Sequence, residues 1–466
     1  MKSSTGEVGK PLTDTKGTPL RFVTGSSLFD GHDAAINMIR RLLQSQGAEV
    51  IHLGHNRSVQ ELVDAAIQED ADGLAVSSYQ GGHNEFFKYM VDELKANNAG
   101  HIQVFGGGGG VILPSEIEAL QAYGVNRIYS PQDGQKMGLE GMIGDMIARA
   151  AQVRDARKKA EVTCTPEGIK ALANNWPLLT QLITRLERDE VPAADLEAIR
   201  ELAKASKTPV LGITGTGGAG KSSLTDELIR RLRMDHGDDL TIGVVCVDPS
   251  RRKTGGALLG DRIRMNAIGP WAGNGPKVFM RSLATRDSAQ EVPATLPDII
   301  ALCRATGFDV VLIETPGIGQ GDAAIVPHVD FSLYVMTPEY GAASQLEKID
   351  MLDFADFVAV NKFDRKGALD ALRDVCKQVQ RNRMAFTSMP DTMPVYGTLA
   401  SRFNDDGVSA LYKALRAALP IAKPSKGLFD SIDTKHSTTM KAVVPSERVR
   451  YLAEIAQAVR SYKAQV

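Results

Sequence analysis

The fold of this 466-residue chain is decided by the stretch Gly215-Thr216-Gly217-Gly218-Ala219-Gly220-Lys221-Ser222. It fits the pattern G-x-x-x-x-G-K-[S/T], in which a glycine-rich turn wraps backbone N–H groups around an anion. Residues 209–214 form an apolar run that predicts a strand, and residues 223–232 carry apolar side chains at helical spacing. Strand, glycine loop and helix together predict a phosphate-binding loop, because the helix N-terminus adds its positive end to the site.

Two side chains of this loop have the chemistry that a nucleotide requires. We expect Lys221 to reach the β- and γ-phosphates and the Ser222 hydroxyl to bind Mg²⁺. The loop residues that we also expect to contact the nucleotide are Gly218, Ala219, Gly220 and Ser223.

The composition is that of an ordinary globular protein, with 43% hydrophobic and 24% charged residues, and the length suggests two or three domains. A net charge of -2 gives no reason to expect nucleic acid or an anionic membrane as a partner. The four cysteines include no C-x-x-C pair, which argues against a disulfide framework or structural zinc. Because no apolar run could span a bilayer or act as a signal peptide, we expect a cytoplasmic protein.

The chain beyond the loop continues with buried strands predicted at residues 241–247, 309–313, 331–336 and 357–360. The last of them ends in Asn361-Lys362-Phe363-Asp364, which fits N-K-x-D. The Asp364 carboxylate only accepts hydrogen bonds, so it suits the N1–H and 2-amino donors of guanine. A phosphate loop followed about 140 residues later by N-K-x-D, each after a strand, predicts a GTPase.

Several residues are candidates for the activation of water in GTP hydrolysis. Glu314-x-x-Gly317 stands where D-x-x-G is usual, and its carboxylate is expected near Mg²⁺. Ile318 follows, where Ras-like proteins have the glutamine that positions water, so we expect slow intrinsic hydrolysis. The candidates for a role in hydrolysis are Lys221, Glu314, Gln320 and Asp322.

Residues 20–150 predict five β/α units with short connections, which indicates a doubly wound parallel sheet of flavodoxin or Rossmann type. Ligands of such sheets bind at the carboxyl ends of the strands. Three of these ends are unusual, since they lead into Asp30-Gly31-His32, into residues 77–83 and into five glycines at 106–110. An imidazole near a carboxylate suits a metal ligand whose second nitrogen donates to that carboxylate.

These three strand ends resemble the D-x-H-x-x-G, S-x-L and G-G motifs of the cobalamin-binding domain of B12-dependent mutases. The resemblance implies that His32 is the lower axial ligand of cobalt and that Asp30 supports it. It also implies that Ser77 contacts the nucleotide tail of the cofactor, and that Gly106 and Gly107 line the channel for that tail.

The match to those motifs is incomplete. Ala35 stands where the motif has glycine, and Tyr79 stands where it has leucine. For His83 two placements stay open, over the edge of the corrin ring or in solvent.

A second resemblance concerns residues 258–265, which contain Gly-Asp-Arg-x-Arg-Met, together with residues 314–320. Both segments resemble those of the G-protein chaperones of methylmalonyl-CoA mutase. The resemblance implies that Arg264 reaches nucleotide phosphate. Ser401 is a candidate for a residue that borders the base. The implied Mg²⁺ shell consists of Ser222, Asp248, Asp261 and Glu314, with help near Val247 and Thr315. A helix start with local ion pairs is the alternative for residues 261–264.

The complete arrangement resembles the N-terminal half of the fused isobutyryl-CoA mutases. It would consist of a cobalamin-binding domain at 20–150, a helical connector at 151–205, a P-loop G-protein domain at 206–420 and a linker with a C-terminal helix at 421–466. The connector is either solvated or a lever between the domains. The tail contains an apolar stripe at helical spacing, which predicts a helix that packs on the rest of the protein, on a partner or on a further domain. Its residues are Val449, Leu452, Ile455 and Val459.

This resemblance implies adenosylcobalamin, Mg²⁺ and GTP or GDP as ligands. It implies a mutase component that interconverts isobutyryl-CoA and n-butyryl-CoA, with a GTPase that gates cofactor loading and protects the holoenzyme. We expect a CoA-ester-binding TIM barrel as a partner domain or subunit, because these residues do not supply one. An adenosyltransferase as cofactor donor and a homodimer of the complete protein are further expectations. The alternatives are a stand-alone cobalamin-delivery GTPase and a B12 sensor.

Overall fold

The computed structural model describes residues 18–157, 162, 164–251, 253–271, 275, 277–286, 292–317, 322–341, 346–438 and 451–465. Within these residues the chain alternates between strands and helices. The strands are β1 (Arg21–Ser27), β2 (Glu49–Arg57), β3 (Gly73–Ser77), β4 (Gln103–Gly107), β5 (Arg127–Tyr129), β6 (Val210–Gly215), β7 (Ile242–Asp248), β8 (Ala257–Leu259), β9 (Val278–Ala284), β10 (Val310–Glu314), β11 (Phe331–Met336), β12 (Phe357–Val360) and β13 (Val395–Gly397).

The α-helices surround two sheets. They are α1 (Asp33–Ser45), α2 (Val59–Gln68), α3 (His83–Ala96), α4 (Pro114–Tyr123), α5 (Pro131–Ala156), α6 (Pro166–Ala171), α7 (Trp176–Glu187), α8 (Ala193–Ala205), α9 (Lys221–Asp235), α10 (Leu296–Thr306), α11 (Met351–Phe354), α12 (Ala368–Asn382), α13 (Asp406–Ala418) and α14 (Tyr451–Gln465). Local signals set their ends. For example, Ser58 and Glu61 form a capping box at the start of α2, and Gly138 interrupts α5 with a φ of 67°.

The first sheet has the order β5-β4-β3-β1-β2-β8, and its neighbouring strands are parallel. Helices α1 and α5 cover one face, and α2, α3 and α4 cover the other. The first five strands therefore form the doubly wound sheet that the sequence predicts. The sixth strand was not predicted, because β8 comes from the region after the phosphate loop and pairs with Glu49–Ile51 of β2.

The second sheet is also parallel, with the order β13-β12-β11-β6-β10-β7-β9. Its central strands are buried along their length, as β7 and β10 show, because helices cover both faces. The predicted class, a flavodoxin-like domain, a helical connector, a P-loop α/β domain and a C-terminal helix, is confirmed. The phosphate loop joins the central strand β6 to α9.

The connector helices α6, α7 and α8 bury their apolar faces against the second sheet. Leu182, Ile183 and Ile199 are fully buried and belong to one cluster with Phe279 of β9 and Leu302 of α10. The alternative of a connector exposed to solvent is therefore wrong. The connector belongs to the hydrophobic core of the second module.

The tail forms a helix, α14, as the apolar stripe predicts. Ile455 and Val459 are exposed there, whereas Val449 and the side chain of Leu452 lie outside the described residues. Among the helices that the structure describes, none combines the length and the apolar character needed to cross a membrane.

Candidate functional site

The phosphate loop surrounds a cavity of about 240 Å³ at the carboxyl end of the second sheet. Gly215 and Gly220 have φ values of 141° and 90°, and a side chain at Gly215 would collide with the backbone of Val335. The Lys221 ammonium group donates to Gly215 O at 2.9 Å and to Pro316 O at 3.2 Å. The cavity is lined by Gly218, Gly220, Lys221, Ser222, Ser223, Asp248, Pro249, Asp261, Arg264, Glu314, Thr315 and Pro316.

The proposed Mg²⁺ ligands converge on the Ser222 hydroxyl. Its Oγ lies 2.9 Å from Asp261 Oδ1 and 2.7 Å from Glu314 Oε1. Because a hydroxyl has a single hydrogen, it cannot donate to both carboxylates at once. One of the two contacts requires a proton on the carboxyl group or a cation. Thr225, which sequence reasoning missed, lies 2.9 Å from Glu314 Oε2 through its hydroxyl.

The electrostatics of this group favour a cation. Burial and the nearby Asp261 carboxylate raise the pKa of Asp248 to about 8 and that of Glu314 to about 7. Asp248 Oδ2 also accepts the backbone N–H of Gly260 at 3.0 Å. Among the described residues, no three acidic, histidine or cysteine side chains are arranged to hold a metal by themselves. The hydroxyl and carboxylate oxygens of this group are ligands of the kind that Mg²⁺ takes, and nucleotide-bound Mg²⁺ needs few of them because phosphate and water complete its shell.

The remaining residues implied for the phosphate end lie around the same cavity. Arg264 forms an ion pair with Asp261, and its side chain is 56% exposed. Residues Arg262–Arg264 form a short 3-10 helix, and the Arg264–Asp261 contact is a local ion pair of the kind that the alternative for residues 261–264 expects. Val247 is buried in β7, and Thr315 is buried directly after β10.

The N-K-x-D segment is tied to the phosphate loop. Asn361 Nδ2 donates to Ala219 O at 2.7 Å, and its Oδ1 accepts from Thr398 Oγ1 and the Ala400 N–H, both at 3.1 Å. Lys362 has a φ of 58°. Asp364 and Ser401 are exposed. Asn361 therefore holds two loops together, while the Asp364 carboxylate is accessible to a base.

The water-activating residue stays a prediction. Ile318 and Gln320 lie outside the described residues, and so does the side chain of Asp322. Lys221 and Glu314 line the phosphate cavity.

The His32 loop follows β1 in the first sheet. Asp30 is buried, and its Oδ1 lies 2.8 Å from His32 Nδ1 and accepts the His32 N–H at 2.9 Å. Its Oδ2 accepts the Tyr79 N–H at 2.7 Å. The imidazole is 73% exposed, so the carboxylate fixes one ring nitrogen while Nε2 stays accessible for a metal.

An apolar cavity of about 360 Å³ opens beside this loop, between the sheet and helices α1 and α5. Ser77 Oγ lies on the cavity wall and is buried with no hydrogen-bond partner among the residues that the structure describes. An unsatisfied buried hydroxyl is costly, so it indicates a polar ligand group. The wall consists of Ala35, Met38, Ile39, Leu42, Ala75, Val76, Ser77, Tyr79, Phe105, Gly106, Gly107, Gly108, Gly109, Tyr129, Ser130, Pro131, Gly134, Leu139, Met142, Ile143 and Met146.

The two motif glycines differ in their surroundings. A Cβ at Gly106 would lie 2.5 Å from both Phe87 Cζ and Ile128 Cδ1, so packing on the opposite face requires this glycine. A Cβ at Gly107 would have Tyr129 O at 3.6 Å as its nearest contact. The missing side chain of Gly107 therefore leaves space in the cavity, whereas the missing side chain of Gly106 makes room for Phe87 and Ile128 in the hydrophobic core.

His83 does not lie in solvent, so that placement is wrong. Its ring is buried at the start of α3, with Nε2 3.0 Å from Glu116 Oε2 and Nδ1 3.1 Å from Gln80 O. Both nitrogens are engaged within the domain, which makes His83 part of the local structure. The accessible imidazole of His32, the apolar cavity and the unpaired Ser77 fit the cobalamin group that the motifs imply.

The fold and the two sites define a P-loop G-protein domain joined to a flavodoxin-like domain with a candidate metal-binding histidine. Comparison with known families agrees with this description. Residues 179–453 match the methylmalonyl-CoA mutase-associated GTPase MeaB, and residues 20–131 match the B12 binding domain. The chain therefore belongs to the MeaB family of mutase-associated GTPases and carries a B12-binding domain as well.

Longer curated relatives match nearly the whole chain. The chain is 62% identical over 449 residues to the fused isobutyryl-CoA mutase of Cupriavidus metallidurans, which covers 96% of the chain and 40% of the relative. It is 57% identical over 451 residues to the fused isobutyryl-CoA mutase of Nocardia farcinica, and this match covers 96% of the chain and 40% of the relative. It is 52% identical over 460 residues to the fused isobutyryl-CoA mutase of Geobacillus kaustophilus, and this match covers 95% of the chain and 40% of the relative. The chain thus spans about two fifths of the length of these relatives.

Proposed function

We propose that this chain is the cobalamin-binding and GTP-binding part of an adenosylcobalamin-dependent acyl-CoA mutase that interconverts isobutyryl-CoA and n-butyryl-CoA. The observation that carries the proposal is the His32 loop beside an apolar cavity that ends at an unpaired hydroxyl, in one chain with a phosphate loop. The names of relatives with 52 to 62% identity support the substrate class.

The first module would hold the cofactor through its own side chains. His32 Nε2 would bind cobalt, and Asp30 would keep the imidazole in the required tautomer and orientation. Ser77 would hydrogen-bond the nucleotide tail, and the backbone of Gly106 and Gly107 would line the channel for it. Adenosylcobalamin, when bound, supplies a radical by cleavage of its cobalt–carbon bond. The protein supplies binding, orientation and exclusion of water.

The second module would bind GTP or GDP with Mg²⁺. Gly218, Ala219, Gly220, Lys221, Ser222 and Ser223 would surround the phosphates, and Arg264 would add a positive charge. Asn361, Lys362 and Asp364 would hold guanine. Ser222, Asp248, Asp261 and Glu314 would hold the cation, with Val247 and Thr315 beside it. Hydrolysis would be slow unless Gln320 or Asp322 orients water.

The greater length of the relatives supports a further domain or subunit as a partner. A CoA-ester-binding TIM barrel, as a further domain or a separate subunit, would carry the substrate, and the GTPase would gate cofactor loading and protect the holoenzyme. An adenosyltransferase would donate the cofactor, and the complete cytoplasmic protein would be a homodimer. The MeaB match favours one second candidate, a GTPase that delivers cobalamin to a separate mutase.

Complementation tests this proposal. The chain, loaded with adenosylcobalamin, is mixed with the part of the Cupriavidus metallidurans relative that the chain does not match, and conversion of isobutyryl-CoA to n-butyryl-CoA is followed. We expect turnover that requires both polypeptides. If both ligands bind but turnover appears only after cobalamin moves to a complete apo-mutase, the delivery function is correct and the mutase assignment is wrong.

A further inference from the structure

The segment that contains Asp261 belongs physically to both modules. Its strand β8 pairs with β2 of the first sheet, and the Ala257 N–H donates to Ala48 O at 3.3 Å. A Cβ at Gly256 would collide with Gln44 O, so the backbones of the two modules meet closely at this point. Strand β8 is therefore the edge strand of the first sheet, and it fixes the start of the loop that carries Asp261, a candidate Mg²⁺ ligand.

Arg262 anchors the same segment immediately after Asp261. Its buried guanidinium donates to Gln68 Oε1 at 2.6 Å, to Glu69 Oε1 at 3.2 Å and to Met280 O at 3.2 Å. Gln68 and Glu69 lie at the end of α2, in the first module. Glu69 also accepts the N–H and the hydroxyl of Ser282, at 3.0 and 2.8 Å. A movement of Asp261 would therefore disturb a buried ionic contact with the other module.

The next residue extends this connection towards the His32 loop. Ile263 packs on Gly54 of β2, where an added Cβ would lie 2.9 Å from Ile263 Cδ1. Two residues further along β2, Asn56 Oδ1 accepts the Phe29 N–H at 2.8 Å. Phe29 has a φ of 64° and directly precedes Asp30. Continuous contacts thus join the carboxylate of Asp261 to the loop that presents His32.

We propose that residues 256–263 couple occupancy of the nucleotide site to ligation by His32, with Arg262 and Asn56 as positioning residues. This inference rests on the proposed function and adds the route by which the GTPase senses the cofactor. Binding of a cation to Asp261 and binding of cobalt to His32 both constrain β2 and the segment that pairs with it. Such coupling is reciprocal, so each ligand changes the affinity for the other by the same factor.

The experiment measures the coupling factor as the ratio of the Kd for Mg²⁺·GDP without and with saturating adenosylcobalamin, by calorimetry. We expect a wild-type factor that differs from one by about fivefold or more, within the usual range for coupled sites. The substitutions Arg262→Gln and Asn56→Ala are expected to bring the coupling factor close to one, because each removes a contact between the two sites. The visible spectrum of the bound cobalamin, which reports histidine ligation, should respond to nucleotide only in the wild type.

Arg200→Gln is the control. Arg200 of the connector helix α8 forms an ion pair with Asp298 of α10, outside β2 and outside residues 256–263. Its variant should keep the wild-type factor. Circular dichroism checks that each variant is folded, and the exposed Asn56 provides the test if the buried Arg262 variant does not fold.

Two results would overturn the inference. One is independent binding of nucleotide and cobalamin by the wild type, which would leave the proposed function intact. The other is a wild-type coupling factor in a folded Asn56→Ala protein. If the chain bound neither ligand, the proposed function itself would be wrong, and the inference with it.

Discussion

Ser222 Oγ lies 2.7 Å from Glu314 Oε1, so the first turn of α9 meets the carboxyl end of the neighbouring strand β10. This contact places a hydroxyl from the phosphate loop and a carboxylate from the Glu314-x-x-Gly317 motif at one point. A cation between them would relieve the competition of two carboxylates for a single hydroxyl hydrogen. Glutamate can therefore take the place of the usual aspartate here.

We expect Ser222→Ala to weaken Mg²⁺-dependent GDP binding about 10- to 100-fold, in line with losses at metal sites. Glu314→Gln should have a similar effect, because it removes the negative charge but keeps the size of the side chain. Nucleotide titrations with excess Mg²⁺ and with EDTA provide the measurement. An unchanged Mg²⁺ dependence in both variants would show that the cation does not bind between these residues.

The raised pKa values of Asp248 and Glu314 predict a pH dependence. Because burial and the Asp261 carboxylate raise both pKa values, we expect these groups in the metal-free protein to hold protons at pH values where the carboxyl groups of an unfolded chain are ionised. The folded state then binds more protons than the unfolded state, so this contribution to stability is present at low pH and is lost as pH rises towards 8. Mg²⁺ must displace the protons, so its apparent affinity should increase from pH 6 to pH 8.

Thermal unfolding at pH 6, 7.5 and 9, with and without Mg²⁺·GDP, measures this linkage. The increase in Tm that the ligand causes should be largest at pH 9. Asp248→Asn, which cannot ionise, should flatten the pH dependence of the metal-free protein. Equal increases in Tm at all three pH values would contradict the assignment of these carboxyl groups to the cation.

Base selectivity can be tested at Asp364. Asparagine at this position offers an N–H donor to the base and loses a charged acceptor, so it should suit the 2-oxo group of xanthine better than the 2-amino group of guanine. We expect Asp364→Asn to lower GTP affinity on the order of 100-fold or more and to bind XTP better than GTP. Asn361 keeps the loops together, so stability should not change. Retention of wild-type GTP preference would place the base elsewhere.

The adjacent glycines Gly106 and Gly107 provide a matched pair for the first module. Gly106→Ala places a methyl group against Phe87 and Ile128, so we expect a loss of about 1 to 3 kcal/mol in the free energy of unfolding. Gly107→Ala has no such contact and should leave stability nearly unchanged but weaken cobalamin binding. Urea unfolding and cobalamin titration separate the two effects. The reverse pattern would mean that the apolar cavity is not the tail channel.

Periodic patterns and local motifs predicted much of this molecule. The β/α units, the phosphate loop and the Asp30–His32 pair each follow from residues that are close in sequence. The approach of Asn361 to Ala219 also follows from topology, because both loops lie at the carboxyl ends of parallel strands.

Contacts between modules could not be predicted in this way. β8 has only three residues and no distinctive period, and its partner β2 lies about 200 residues earlier in the chain. The sequence offered Arg262 only local ion pairs at a helix start, but its guanidinium is buried because it donates to Gln68 and Glu69 at the end of the distant helix α2. For His83 the sequence left a place over the edge of the corrin ring or in solvent, and neither placement anticipates the contact with Glu116. Such partners are set by tertiary packing.

The most direct test of the account is the visible spectrum of adenosylcobalamin bound to this chain, compared between the wild type, His32→Ala and the control His55→Ala. His55 is an exposed histidine of the same domain. We predict a histidine-ligated spectrum with the tail displaced in the wild type and in His55→Ala, and its loss in His32→Ala. If the wild type binds no cobalamin, or if His32→Ala keeps the histidine-ligated spectrum, the assignment of the first module as a His32-ligated cobalamin site is wrong.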